Sequence, residues 1–119
     1  MSCLVFVYGT LRRGFSNHHF MRGARFLGGA ATRERYAMYV EDCPYLVQEE
    51  ALYQVAGEVH EVSEAMLLTL DALEEHPTVY ERRRIPVALD SGREIEAWCY
   101  FARAPRGRLL PRGDFAAGG

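Results

Sequence analysis

The sequence predicts an α+β fold, a mixed sheet or small β-barrel with one main helix against it. Three observations predict it. Segments with strand character outnumber helical ones. They do not alternate with helices as a doubly wound sheet requires. The strongest helical segment follows a period-two segment directly, at Ser63. A chain of 119 residues suits a single domain, 1–119. At this size roughly two-thirds of the unfolded surface is buried, enough for a core without covalent staples.

Leu4 to Tyr8 is short, β-branched, aromatic and bounded by glycine, which predicts a buried strand. Gly9 to Gly14 is a loop, and Asn17 to Met21 a short helix with Ser16 as N-cap. Arg25 to Val40 holds strands with a bend at Gly28-Gly29, and Glu41 to Pro44 is a turn. Tyr45 to Val47 is a short strand, followed by a polar loop at Gln48 to Glu50. Val55 to Val62 alternates, with Val55, Gly57, Val59 and Glu61 on one face and Ala56, Glu58, His60 and Val62 on the other. Ser63 then caps a helix, Glu64 suits its positive end, and Pro77 stops it near Glu75. Val79 to Leu89 is a long strand in which Pro86 demands an edge position or a bulge. Ser91-Gly92 turns the chain into the strand Glu94 to Ala102, and an irregular tail begins at Arg103.

Composition excludes several classes. Net charge is −2, so no basic field points to nucleic acid or anionic lipid. All 14 basic residues are arginine, so no lysine can act as Schiff base or general base. Cys3, Cys43 and Cys99 are odd in number and widely spaced, which argues against a disulfide framework or a cysteine zinc site and fits a reducing cytoplasm. The apolar run Cys3 to Tyr8 is too short for a signal peptide or a membrane span. His18-His19, His60 and His76 lack ligand spacing, so no metal is expected. No G-x-S-x-G elbow occurs, and no serine has an evident His/Asp partner.

The helix carries the first candidate. On a wheel of about 100° per residue with Met66 at zero, Leu73, Leu70 and Leu67 fall at about 340°, 40° and 100°. Glu74 lands at about 80°, within that apolar stripe, and Glu75 at about 180°, on the polar side. A carboxylate on an apolar face is costly to bury unless paired or protonated, and desolvation moves its pKa toward neutrality, where a general acid/base works best. Alternatively, Glu74 reaches water at a fraying end or pairs with an arginine of Arg82-Arg83-Arg84. Arg82 and Arg84 share a strand face, suited to ion pairing or to clamping a substrate carboxylate. The other candidate is Tyr8-Gly9-Thr10-Leu11, whose successive N–H groups after a strand form either a plain turn or an anion-binding nest or oxyanion hole. It lacks the phosphate-loop pattern of nucleotide sites.

Together, "VFVYGTLRRG" and "LDALEEHPTVYERR" resemble the gamma-glutamylcyclotransferase-like superfamily. The N-terminal stretch resembles its Y-G-(T/S)-L substrate loop. The later stretch is similar to its L-D-x-x-E-x-x-P-x-x-Y-x-R segment, carried by Leu70, Asp71, Glu74, Pro77, Tyr80 and Arg82. "VAGEVHEV" is similar to the strand that feeds the helix, with His60 where the family has an aromatic residue. "EIEAWCYF" and "PRGDF" resemble the last main strand and the C-terminal Gly-Asp-aromatic ending. The stretch from Tyr8 to His18 is most like the gamma-glutamylamine cyclotransferase branch.

The resemblance implies a small mixed β-barrel with flanking helices, Glu74 as the catalytic acid/base, and Tyr8, Gly9, Thr10 and Leu11 cradling the substrate. Tyr80 would line the site or serve only packing. The implied reaction uses no metal and no cofactor. It converts a γ-glutamyl amine or γ-glutamyl amino acid to 5-oxoproline and a free amine. Three other readings remain open: an enzyme removing a γ-glutamyl protecting group in a biosynthetic route, a non-catalytic binder of small γ-glutamyl or amino-acid ligands, and a protein-interaction module, which would have the space around Glu74 closed or filled.

Overall fold

The computed structural model describes residues 2–115. Eight strands form, β1 (Ser2–Val7), β2 (Arg25–Thr32), β3 (Ala37–Val40), β4 (Pro44–Val47), β5 (Ala56–Ser63), β6 (Tyr80–Leu89), β7 (Glu94–Ala102) and β8 (Arg108–Leu109), with one α-helix, α1 (Glu64–Leu73). A closed barrel runs β1-β5-β2-β6-β7, and a smaller sheet runs β4-β3-β8. Barrel neighbours are antiparallel except β7 and β1, which close it in parallel at Val5 and Trp98.

The unbroken apolar run of β1 has a physical cause, since the strand is covered on both faces. Phe6 packs with Val59, Val87 and Cys99 in one core cluster, while Val5 and Val7 join Val62, Leu67 and Leu70 of α1 in the other. The alternation of β5 sends Val59 and Val62 to these two clusters. The Gly28-Gly29 bend is a β-bulge where the pairing with β5 shifts between Phe26 and Gly28, and Gly28 takes φ 145°. Pro86 is accommodated because β6 pairs with β2 only from Val87 onward. Its missing N–H therefore lies just beyond the ladder, and its carbonyl accepts from Arg33 N at 3.1 Å.

Three local expectations are corrected. Ser16 caps nothing: the short helix is a 3₁₀ turn, His18–Met21, preceded by Asn17 without a side-chain cap. Leu73 belongs to the apolar stripe but stays 37% exposed, because α1 ends there and the barrel no longer covers it. The segment after Arg103 is not irregular throughout, since Arg108–Leu109 adds β8 to β3. Beyond it Ala56 N donates to Gly113 O at 2.7 Å, and Arg12 pairs with Asp114 at 3.1 Å. These are contacts of distant partners that no local pattern reveals.

Candidate active site

Capping at both ends of α1 fixes where Glu74 leaves the helix. Ser63 accepts from Met66 N at 3.1 Å and starts the helix. At the other end Glu74 is the C-cap, and the chain closes with two reverse bonds, Glu75 N to Ala72 O at 3.2 Å and His76 N to Asp71 O at 2.9 Å. This closure puts Glu75 at φ 52°, a conformation that favours glycine. The reversal separates the neighbouring glutamates, leaving Glu74 half-buried and Glu75 exposed.

Glu74 opens onto a cavity of about 410 Å³. Tyr8, Gly9, Thr10 and Leu11 line it, as do Tyr80, Tyr100, Cys43, Pro44, Tyr45 and Arg106. The structure thus brings the candidate residues of both sequence motifs to one cleft, and the space around Glu74 is open. An interaction module with that space filled does not describe this molecule.

The Glu74 carboxyl has no hydrogen-bond or ion-pair partner among the described residues, and burial raises its pKa from 4.5 to about 7. Glu74 does not pair with Arg82, which is occupied elsewhere. Its Nε and Nη2 meet Asp71 Oδ1 and Oδ2 at 2.7 and 2.9 Å, and its guanidinium lies 4.2 Å over the Trp98 ring. Arg82 therefore belongs to an ion pair behind the cleft.

The cleft tyrosines are structural donors. Tyr8 Oη donates to Tyr100 O at 2.7 Å, Tyr80 Oη to Pro44 O at 3.0 Å, and Tyr100 Oη to Asp71 Oδ1 at 2.6 Å. Burial pushes all three phenols well above their usual pKa, so none titrates near neutrality. The rings of Tyr45 and Tyr80 stack at 5.7 Å and make one wall.

The Tyr8–Leu11 loop is braced from three sides. Thr10 Oγ1 accepts from Asn17 Nδ2 at 2.9 Å, while Thr10 O accepts from Asn17 N at 2.9 Å. His18 Nδ1 donates to Leu11 O at 3.0 Å. Glu58 Oε1 accepts from Arg13 N at 3.1 Å and from His60 Nε2 at 3.1 Å. The N–H groups of Gly9, Thr10 and Leu11 serve as donors in none of the described turn hydrogen bonds. Gly9 is required sterically, because a Cβ there would run into the Pro44 ring.

Sequence reasoning missed Cys43, Pro44, Tyr45 and Arg106. Cys43 and Pro44 read as an ordinary turn, Tyr45 as the start of a short strand and Arg106 as tail, and it is the β4-β3-β8 sheet and the residues flanking its strands that bring them to the cleft. Among the described residues no group of three or more His, Cys, Asp or Glu is placed to hold a metal ion. No helix there is long and apolar enough to cross a membrane.

This barrel and cleft are those of a cyclotransferase fold. The family described as gamma-glutamyl cyclotransferase, AIG2-like, matches residues 5–117, and the chain belongs to it as a cyclotransferase enzyme. A Methanocaldococcus jannaschii protein, named as an unproven gamma-glutamylcyclotransferase, is 47% identical over 112 residues, 93% of each chain. The gamma-glutamylaminecyclotransferase of Mus musculus is 32% identical over 125 residues, 90% of this chain and 84% of its own. The crystal structure of an AIG2-like protein from Mus musculus superimposes with a TM-score of 0.80 at 31% identity, over 86% of this chain and 78% of that one.

Proposed function

We propose that the protein converts a γ-glutamyl amine or γ-glutamyl amino acid to 5-oxoproline and the free amine. The observation that carries this reading is Glu74, half-buried, without a partner among the described residues and held near pKa 7 in a cleft shared with the Tyr8–Leu11 loop. Ionised Glu74 takes a proton from the substrate's α-ammonium. The freed amine attacks the γ-carbonyl, forming the ring C–N bond. The tetrahedral centre then collapses: protonated Glu74 gives its proton to the leaving nitrogen as that bond breaks, and the second proton shed by the ring nitrogen leaves with the amine, which departs as its ammonium. No water is consumed. A pKa near 7 serves both steps, since the group must accept and then donate at the same pH. Such acid–base help is typically worth about 10² to 10⁴ in rate, and holding the substrate folded adds a proximity term.

The N–H groups of Gly9, Thr10 and Leu11 receive the α-carboxylate or the developing oxyanion. Tyr8 and Tyr80 act as walls, because their hydroxyls are committed to carbonyls. The test is 5-oxoproline release from a panel of γ-glutamyl amines, dipeptides and ε-(γ-glutamyl)lysine. Glu74→Gln is expected to fold and to lose turnover, while Glu75→Gln keeps most of it. Substantial release by folded Glu74→Gln would overturn the assignment. Saturable binding without product would instead mark a ligand binder.

A further inference from the structure

Among the described residues the cleft is lined by three charged side chains, Glu74, Glu75 and Arg106. Arg106 is exposed and, unlike Arg12, Arg82 and Arg103, forms no ion pair among the described residues. Its backbone is nonetheless fixed. Gly107 beside it takes φ 83°, and a Cβ there would collide with the Val40 backbone. Arg108 then pairs with Val40 in the β3–β8 ladder. The tail is thereby pinned against β3, and the Arg106 side chain is delivered to the cleft from a constrained turn. Its guanidinium lies 5.8 Å from the centre of the Tyr45 ring, and Tyr45 is stacked on Tyr80 at 5.7 Å. An aromatic backing orients a guanidinium and leaves its planar edge for a bidentate anion.

We propose that Arg106 is the specificity-determining residue for the leaving amine, and that it receives a carboxylate carried by that amine. This rests on the cyclisation reading above. In that reading Glu74 takes the α-ammonium, and the Gly9–Leu11 loop takes the α-carboxylate or the developing oxyanion. The leaving group then runs along the Tyr80–Tyr45 wall, past the apolar side chains of Leu73 and Val79, to the cation at its end. The substrate class is a γ-glutamyl conjugate of an amino acid, its carboxylate separated from the reacting nitrogen by a short apolar spacer. An uncharged alkylamine would fill the wall and leave the guanidinium unused.

The experiment compares matched conjugates: γ-glutamyl-4-aminobutanoate and γ-glutamyl-6-aminohexanoate against γ-glutamyl n-alkylamines of the same chain length. The wild type is expected to favour the better carboxylate conjugate at least about tenfold in kcat/KM, about 1.4 kcal/mol. Arg106→Gln should collapse that ratio toward one, and Arg106→Lys should keep part of it. A wild-type ratio near one, or a ratio unchanged in Arg106→Gln, overturns the proposal. An unchanged ratio would mean that Arg106 serves the γ-glutamyl end or the structure. If the wild type releases no 5-oxoproline from any conjugate, the cyclisation reading fails. Calorimetric binding of the same pairs to wild type and Arg106→Gln then still reads the subsite. A carboxylate preference lost with Arg106 supports it, and equal binding of both conjugates overturns it.

Discussion

Asp71 and Arg82 face each other as a parallel pair, with Nε on Oδ1 at 2.7 Å and Nη2 on Oδ2 at 2.9 Å. Tyr100 Oη adds a third donor at 2.6 Å. The pair ties the last turn of α1 to β6 and so fixes where Glu74 emerges. Burial alone would raise the Asp71 pKa, but the hydrogen bonds from Arg82 and Tyr100 outweigh it and hold the carboxyl below 3.8. Asp71→Asn is expected to destabilise the fold by about 2–4 kcal/mol, because it strands a half-buried guanidinium. A urea titration should show a lower midpoint with an unchanged slope. The Asp71 contribution is present above the unfolded pKa and is lost as pH falls through the lower folded one, so the gap to Asp71→Asn should narrow below about pH 4.

Glu74 has the opposite sign. Its folded pKa, about 7, lies above the unfolded 4.5. Between those values the native state holds the proton and the unfolded state does not, so stability falls as pH rises through that window. Glu74→Gln removes the penalty. It is expected to be more stable than wild type at pH 8 by up to ~3 kcal/mol, with the advantage gone below pH 4.5. Denaturant midpoints at the two pH values decide it, and equal midpoints at pH 8 would mean that the carboxylate is better solvated than the cleft indicates.

The same pKa predicts a rate profile. With Glu74 as base, kcat/KM should rise about tenfold per pH unit below 7 and flatten above it. An inflection near the ordinary 4.5 would show that burial does not tune the working group.

Gly9→Ala tests the loop. The added methyl meets the Pro44 ring, which cannot swing aside as a flexible side-chain end would. Displacement should cost about 1–3 kcal/mol and lower turnover well beyond that stability loss, since the N–H groups move with the backbone. Melting and 5-oxoproline release on the same samples separate the two effects.

Glu58→Ala probes the rear brace. It leaves the Arg13 N–H and the buried His60 Nε2–H without their acceptor, a loss of about 1–3 kcal/mol. Amide exchange should accelerate from Leu11 to Gly14 more than in β6. Uniform acceleration would assign Glu58 to global stability alone.

How much was legible follows from the range of the interactions. The strand of β5, the Ser63 cap and the side of α1 that takes Glu74 were readable, because each depends on neighbours within a turn or two. The Tyr8–Leu11 loop was readable as a place, since a buried strand ending at glycine must turn there. Its bracing by Asn17, His18 and Glu58 was partly hidden, because Glu58 arrives from a distant strand. Arg82 remained open between a clamp and an ion pair, and only the approach of Asp71 on α1 to Arg82 on β6 decided it.

By itself, the sequence determined the α+β class, the apolar stripe of α1, the asymmetry of Glu74 and Glu75, and the two motifs that carry the family. These are matters of period, capping and residue chemistry, which act locally. Tertiary structure decided that the sheet closes as a barrel, that Tyr8 and Tyr80 commit their hydroxyls to carbonyls, that Glu74 keeps no partner among the described residues, and that Tyr45 and Arg106 complete the cleft. The reason is desolvation and reach. Whether a group is paired or bare depends on which distant backbone arrives beside it, and no local pattern in the chain carries that information.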